Sequence, residues 1–418
     1  MADSRKKIPY DVAPISRDYS SSNSHRTQFV PAKPKFTAII FVLAILIFNI
    51  VLGIITITSV ANNNHSSIIN LTQNITSSEG DSIVYATSKA ELSIVCIGVG
   101  GSDSSRNSFS PSNIPDSIEI FTNTASRGSG IIYSLDKSSG VAYIMTCYHV
   151  VSSNTNAVFV LTYDSNEPIC ATVVGTSVSS DIAVLRVQHN QLKTTISTAA
   201  TLADSSLLRD GEPAIAVGNP DGKGFASSSG TITRPAVMYR SEAVGASIRG
   251  IEVSTKINSG NSGGGLFDKN GNLIGMVQAK INSANIDNVA YAAPVNFLVS
   301  VSRNMIENRN LAYAPAGYNI RTTTYVKVVG GINYRLQNVF VNEIDATTGV
   351  DVAGKLGVGD QLLSISYQGK TIEVNSEYTY EDIKYDLKVG DQIVYRVKHT
   401  NGNTENVIVT ISRVTSSR

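Results

Sequence analysis

Ser262 stands in the run Ile257-Asn258-Ser259-Gly260-Asn261-Ser262-Gly263-Gly264-Gly265-Leu266, with four glycines about it. Glycine lets a backbone turn with φ > 0 and approach a ligand closely. A serine hydroxyl is a weak nucleophile, so it needs a base and a trap for the oxyanion it generates. A tight glycine turn can supply the trap, because successive N–H groups then face one concavity. Ser262 reads as a nucleophile, and the N–H groups of Gly260 and Ser262 as its oxyanion hole. The plainer reading of this stretch alone is a Gly/Ser-rich surface loop. Gly260-x-Ser262-x-Gly264 also fits a nucleophile elbow, but that elbow must lead into a helix. Here Asn270-Gly271 falls between two apolar runs, which is a hairpin signal. The serine therefore precedes a β-hairpin.

A nucleophilic serine calls for a histidine oriented by a buried carboxylate. The chain has five histidines. His25, His65, His189 and His399 lie in polar surroundings and read as solvated. His149 follows the apolar strand Tyr143-Ile144-Met145-Thr146-Cys147 and precedes Val150-Val151. A histidine at the end of a buried strand can project into a cleft; a lone one is otherwise a satisfied core residue. Asp181 immediately precedes the apolar run Ile182-Ala183-Val184-Leu185. A carboxylate held there must be hydrogen-bonded, and an imidazole N–H is a suitable partner. Its plainer reading is a strand-capping residue exposed to water.

The elements that would position these groups are short. Strands are expected over 92–99, 130–134, 142–147, 158–163, 170–175, 182–187, 213–217, 230–233, 251–255, 273–277 and 288–292, which is the texture of a barrel or sandwich. Residues 102–127 read as a Ser/Asn/Pro-rich loop. Pro294-Val295-Asn296 opens a helix, with Phe297, Leu298, Val301 and Met305 at helical spacing. After a boundary near 311, strands are expected over 339–344, 361–367, 392–399 and 406–412, with a short helix over 381–387. Upstream, residues 1–35 read as a disordered cytoplasmic tail and 61–81 as a linker. Between them, residues 36–60 form an uncharged apolar run long enough to cross a bilayer as a single helix. Lys and Arg precede that run and none follows until Lys89, so the positive-inside rule places the N-terminus in the cytoplasm and the rest outside.

Composition narrows the function classes. The 418 residues are 42% hydrophobic and 16% charged, with a net charge of +1. No basic run with interleaved aromatics occurs, so a nucleic-acid partner is not expected. The three cysteines, Cys96, Cys147 and Cys170, form no Cys-x-x-Cys motif or Cys/His cluster in the sequence, so no metal site is expected. Cys147 and Cys170 pair across neighbouring strands in an oxidising space, or remain buried thiols.

Six blocks carry a family resemblance. Thr146-Cys147-Tyr148-His149-Val150-Val151, Asp181-Ile182-Ala183-Val184-Leu185, Gly218-Asn219-Pro220 and Asn258-x-Gly260-Asn261-Ser262-Gly263-Gly264 resemble the HtrA/DegP family of trypsin-like serine proteases. Gly130-Ile131-Ile132 and Tyr291-Ala292-Ala293-Pro294 fall where similar family blocks would. The order His149, Asp181, Ser262 is the chymotrypsin-like one. The resemblance implies an all-β protease domain over 82–310, a chymotrypsin-like double β-barrel with the triad in the cleft between barrels. It implies serine endopeptidase activity on misfolded or regulatory proteins, no cofactor and homotrimeric assembly. The chain departs from the family at Cys147-Tyr148, where Asn-Ala is usual, at Ser259, and at Gly265, where a proline is common. Gln278, Ala279 and Lys280 would flank the primary specificity pocket, where small or apolar residues are usual.

Gly357-Val358-Gly359-Asp360-Gln361-Leu362-Leu363-Ser364-Ile365 and Val389-Gly390-Asp391-Gln392-Ile393 resemble the turn-strand blocks of a PDZ domain, which would cover 311–418. Its carboxylate-binding loop would be Tyr318-Asn319-Ile320, with Asn319 where glycine is usual. Such a module either adds an extended peptide to a sheet edge or only packs on the protease. A second function class is a catalytically idle surface scaffold that binds protein C-termini through this module.

Overall fold

The computed structural model describes residues 79–100, 126–165, 167–219, 224–280, 289–307, 311–345, 347 and 352–416. The tail at 1–35, the apolar run at 36–60, most of the linker and nearly all of the loop at 102–127 lie outside the described residues. No helix among the described residues is long and apolar enough to cross a membrane. The described residues all belong to one compact unit, within Thr72–Arg418.

Two closed six-stranded barrels form the first part of that unit. Strands β1 (Ile94–Val99), β2 (Ser126–Asp136), β3 (Val141–Thr146), β4 (Val158–Leu161), β5 (Ile169–Ser177) and β6 (Ile182–Gln188) close in the order β1-β2-β3-β6-β5-β4. Strands β7 (Pro213–Gly218), β8 (Ala226–Arg240), β9 (Ser247–Val253), β10 (Gly265–Phe267), β11 (Leu273–Lys280) and β12 (Ala290–Pro294) close as β10-β11-β12-β9-β8-β7. Closure removes the exposed edges that short strands would otherwise leave. The apolar runs anticipated from sequence supply the buried cores: Ile97, Ile131, Met145, Val184 and Leu185 from strands of the first barrel, Ala214, Ile251, Val253 and Leu266 from those of the second.

Helix α1 (Glu79–Glu91) stands where the sequence predicts the end of the linker and no helix. Its buried residues are the small Ser82, Ala86 and Ala90, with Ile83 partly buried beside them, a face with little large apolar surface to read. Lys89 Nζ donates to the Asn270 carbonyl at 3.1 Å and to Asn272 Oδ1 at 2.9 Å, fixing the helix to the β10–β11 turn. The one-turn helix α2 (Tyr148–Val151) follows β3. Helix α3 (Val295–Ile306) starts after Pro294 and buries Phe297, Leu298, Val301 and Met305, the spacing read in the sequence.

The C-terminal module carries β13 (Ala312–Tyr313), β14 (Tyr318–Val329), β15 (Ile332–Ile344), β16 (Gln361–Tyr367), β17 (Lys370–Glu373), β18 (Gln392–Lys398), β19 (Thr404–Thr410) and β20 (Thr415–Ser416). Its sheet runs β14-β15-β16-β18-β19, with β17 on β16. Val341, Ile365, Tyr395, Val397 and Val409 form its core. The helix expected over 381–387 is instead a series of turns. Its carbonyls go to neighbours: that of Lys384 accepts from Ala314 N–H at 3.0 Å, that of Tyr385 from Asn304 Nδ2 at 2.6 Å. Within the segment the N–H groups of Ile383 and Lys384 share the Tyr380 carbonyl and that of Asp386 reaches Ile383, so the turns do not join into one i→i−4 ladder.

Candidate active site

The first barrel supplies an imidazole and a carboxylate. β3 ends at Thr146, and His149 projects from α2 rather than from the strand itself. Asp181 precedes β6 and is fully buried. Its carboxylate holds the histidine twice: Oδ1 accepts the His149 backbone N–H at 3.0 Å, and Oδ2 lies 2.8 Å from Nδ1. The two bonds fix both the position of α2 and the plane of the ring, leaving Nε2 for other partners. Asp181 has φ +53°. That left-handed conformation is costly for most L-residues, though the short polar side chain of Asp tolerates it better.

The loop between β9 and β10 supplies the serine. Ser262 is half-buried, between Gly260 at φ +97° and Gly263 at φ +82°. Ser129 on β2 anchors this loop. Its N–H donates to the Ser262 carbonyl at 2.9 Å and its Oγ to the Gly260 carbonyl at 2.7 Å. The loop N–H groups of Asn261, Gly263 and Gly264 donate to the carbonyls of Asn258, Val277 and Asn261. Those of Gly260 and Ser262 donate to no acceptor among the described residues.

Serine loop and histidine turn meet at shared points. The Val277 carbonyl accepts both the Gly263 N–H at 2.8 Å and the Cys147 thiol at 3.3 Å. A Cβ placed on Gly128 would touch the Val150 methyls at 2.7 Å and the Ser262 carbonyl at 3.0 Å. The residues flanking His149 and those flanking Ser262 therefore pack against common neighbours.

Cys147, His149 and Asp181 each place one potential metal-ligand atom within 4.8 Å of the others. The Nδ1–Oδ2 bond already uses two of those atoms. Burial pushes the Cys147 thiol well above its ordinary range, and the neighbouring Asp181 charge adds to this. The grouping is accounted for as a histidine–carboxylate pair beside a protonated thiol. All three cysteines are free, so Cys147 and Cys170 do not pair.

Gln278 lies on β11. It is 2% exposed and both ends of its amide are engaged inside the protein, so no free polar group remains for a substrate side chain. Ala279 and Lys280 pair with Tyr291 and Ala290 along β11–β12; the burial of Ala279 Cβ and of the Lys280 side chain lies outside the described residues. Tyr318, Asn319 and Ile320 open the edge strand β14. The Tyr318 hydroxyl donates to that of Tyr395 at 3.1 Å, and Asn319 Nδ2 to Glu343 Oε2 at 3.0 Å. Sequence reasoning passes over Ser129, although its place in Gly128-Ser129-Gly130 marks a close backbone approach.

The trypsin-like peptidase domain family matches residues 128–276, from the strand bearing Ser129 into the strand bearing Gln278. A serine protease Do-like HtrA of Lactococcus lactis subsp. cremoris is 27% identical over 379 residues, covering 85% of this chain and 88% of that protein. A serine protease Do-like HtrB of Bacillus subtilis is 29% identical over 304 residues, covering 69% of this chain and 63% of that protein. The solved HtrA-type protease AlgW with a decapeptide aligns over 79% of this chain and 98% of that one, at 22% identity and a TM-score of 0.45. Residues 128–276 thus match a trypsin-like peptidase domain, and the chain is similar along most of its length to serine proteases of the HtrA type.

Proposed function

We propose that the chain is a membrane-anchored, extracytoplasmic serine endopeptidase using His149, Asp181 and Ser262. The reading is carried by the double hold of Asp181 on His149, beside a serine loop with two unspent N–H groups. Ser262 Oγ attacks the peptide carbonyl carbon as its proton passes to His149 Nε2. The oxyanion is held by the N–H groups of Gly260 and Ser262. His149 then protonates the departing amine, leaving an acyl ester on Ser262. Water, deprotonated by the same imidazole, releases the acid and restores the serine. Asp181 keeps the Nδ1 proton in place throughout. Unfolded or regulatory proteins are the substrate class. The run at 36–60 anchors the chain, and the C-terminal module takes a peptide terminus as a PDZ domain does, at the edge strand opened by Tyr318, Asn319 and Ile320.

The test uses the full chain in detergent, assayed on unfolded casein and with a fluorophosphonate probe. Labelling at Ser262 and hydrolysis are expected. Ser262→Ala abolishes labelling and lowers kcat by about 10⁴-fold or more. A parent chain that neither labels nor hydrolyses would favour the scaffold instead.

A further inference from the structure

Asp181 holds its left-handed conformation at full burial, and its backbone is gripped from outside its own barrel. The group that grips it comes from the other barrel. Gln278 Nε2 donates to the Ser180 carbonyl at 2.7 Å and to the Asp181 carbonyl at 3.1 Å. A primary amide has two N–H donors, and both are spent on these consecutive carbonyls. Its Oε1 accepts the Tyr239 hydroxyl at 3.0 Å. A flipped amide would set Oε1 against two carbonyl oxygens, so one orientation is fixed.

An independent feature of the backbone aims this side chain. The register of β11 on β12 slips between Val277 and Ala279, which puts Gln278 at a β-bulge. A bulge turns a side chain out of the ordinary alternation, and bulges recur beside active sites. Behind Gln278 the support continues. The Tyr239 ring stacks on Tyr291 with centroids 4.2 Å apart, and the Tyr291 hydroxyl donates to Glu252 Oε2 at 3.2 Å. Burial would raise the Glu252 carboxyl, but hydrogen bonds from Arg234 and Thr233 outweigh it and hold the group low.

We propose that Gln278 is a positioning residue, which clamps the Ser180–Asp181 backbone from across the cleft and so sets the carboxylate that orients His149. The inference rests on the catalytic roles proposed for His149, Asp181 and Ser262. In triad enzymes, losing the oriented carboxylate costs about 10⁴-fold in kcat, so a loosened clamp costs a part of that.

Full-length parent, Gln278→Met and Tyr239→Phe are compared in detergent by active-site titration with the fluorophosphonate, kcat and KM per titrated site, and thermal midpoint. Gln278→Met keeps the length and loses both donors. Its kcat is expected to fall roughly 10- to 100-fold with KM within about threefold. Tyr239→Phe keeps the donors but frees the amide, and kcat is expected to fall about 2- to 5-fold. A kcat per site equal to the parent's, whether or not the midpoint drops, overturns the inference. If Gln278→Met does not fold, Tyr239→Phe decides: reduced kcat supports the clamp and parental kcat overturns it. A parent that does not label at Ser262 sinks the triad and this inference together. A labelled parent with unaffected variants sinks the inference alone.

Discussion

Ser129 on the first barrel donates its N–H to the Ser262 carbonyl on the second over 2.9 Å, and its hydroxyl to the carbonyl two residues earlier. One buried serine thereby sets the direction of the peptide groups from which the proposed oxyanion donors arise. Ser129→Ala leaves the Gly260 carbonyl without its donor and the Asn219 N–H, 2.8 Å from Ser129 Oγ, without its acceptor. The buried Asn219 N–H, once orphaned, costs about 1–3 kcal/mol, and the part-buried Gly260 carbonyl less. The expected outcome is a lower thermal midpoint and a kcat reduced by about 10- to 100-fold, read from casein hydrolysis against fluorophosphonate-titrated sites.

Gly263 tolerates no side chain. Its φ is +82°, and a Cβ there would run into the Ser129 carbonyl and Thr146 Oγ1, with Cys147 N at 3.2 Å. Those atoms are backbone or hydrogen-bonded and cannot step aside. Gly263→Ala is expected to lose activity by about 10³-fold or more or to fail to fold, measured by probe labelling and far-UV circular dichroism. Parental activity in this variant would contradict the packing described for the serine loop.

Arg249 on β9 and Asp382 of the C-terminal module form a buried ion pair, supplemented by a 3.3 Å bond from Arg249 to the Tyr378 carbonyl. Burial pushes the Asp382 carboxyl up despite the attraction of Arg249. Removing one partner strands a buried charge, so Arg249→Ala is expected to destabilise by about 3–5 kcal/mol. Replacing both with apolar residues of similar volume, Arg249→Met with Asp382→Leu, should recover most of that loss. Chemical denaturation of the parent, the single and the double variant checks it; a double variant as weak as the single one would contradict the account.

His399 sits between Asp360 and Glu405, with Nδ1 and Nε2 each 2.9 Å from a carboxylate oxygen. Hydrogen bonds to Asp360 and then Glu405 hold its ring above the ordinary 6.5. A group raised on folding contributes stability that is fully present below its unfolded value and lost as pH rises through the folded one. The parent should therefore melt above His399→Gln below pH 6.5, and the gap should shrink as pH rises above that value. A gap that widens with rising pH would reverse the sign and refute the arrangement.

The chemistry is legible in the chain to the extent that residue type and local texture carry it. Ser262 among glycines, His149 after an apolar strand and Asp181 before another can each be picked out locally, because each follows from one segment's own pattern. The apolar runs likewise predict most barrel strands, since a period-two or all-apolar run reports its own burial. Where contacts are distant, that logic fails. Helix α1 docks through the small Ser82, Ala86 and Ala90, and the turns at 381–386 give their carbonyls to Ala314 and Asn304. Neither leaves a clear apolar signal.

What the linear chain determined by itself is a set of reactive groups and the strands that carry them. What tertiary structure decided is their relation: that Asp181 takes both the ring and the backbone of His149, that Ser129 holds the serine loop from the opposite barrel, and that the Gln278 amide meets the Ser180 and Asp181 carbonyls. The physical reason is sequence separation. Ser129 and Gly260 are 131 positions apart, and Gln278 and Asp181 97 apart, so these bonds exist only once both barrels have closed.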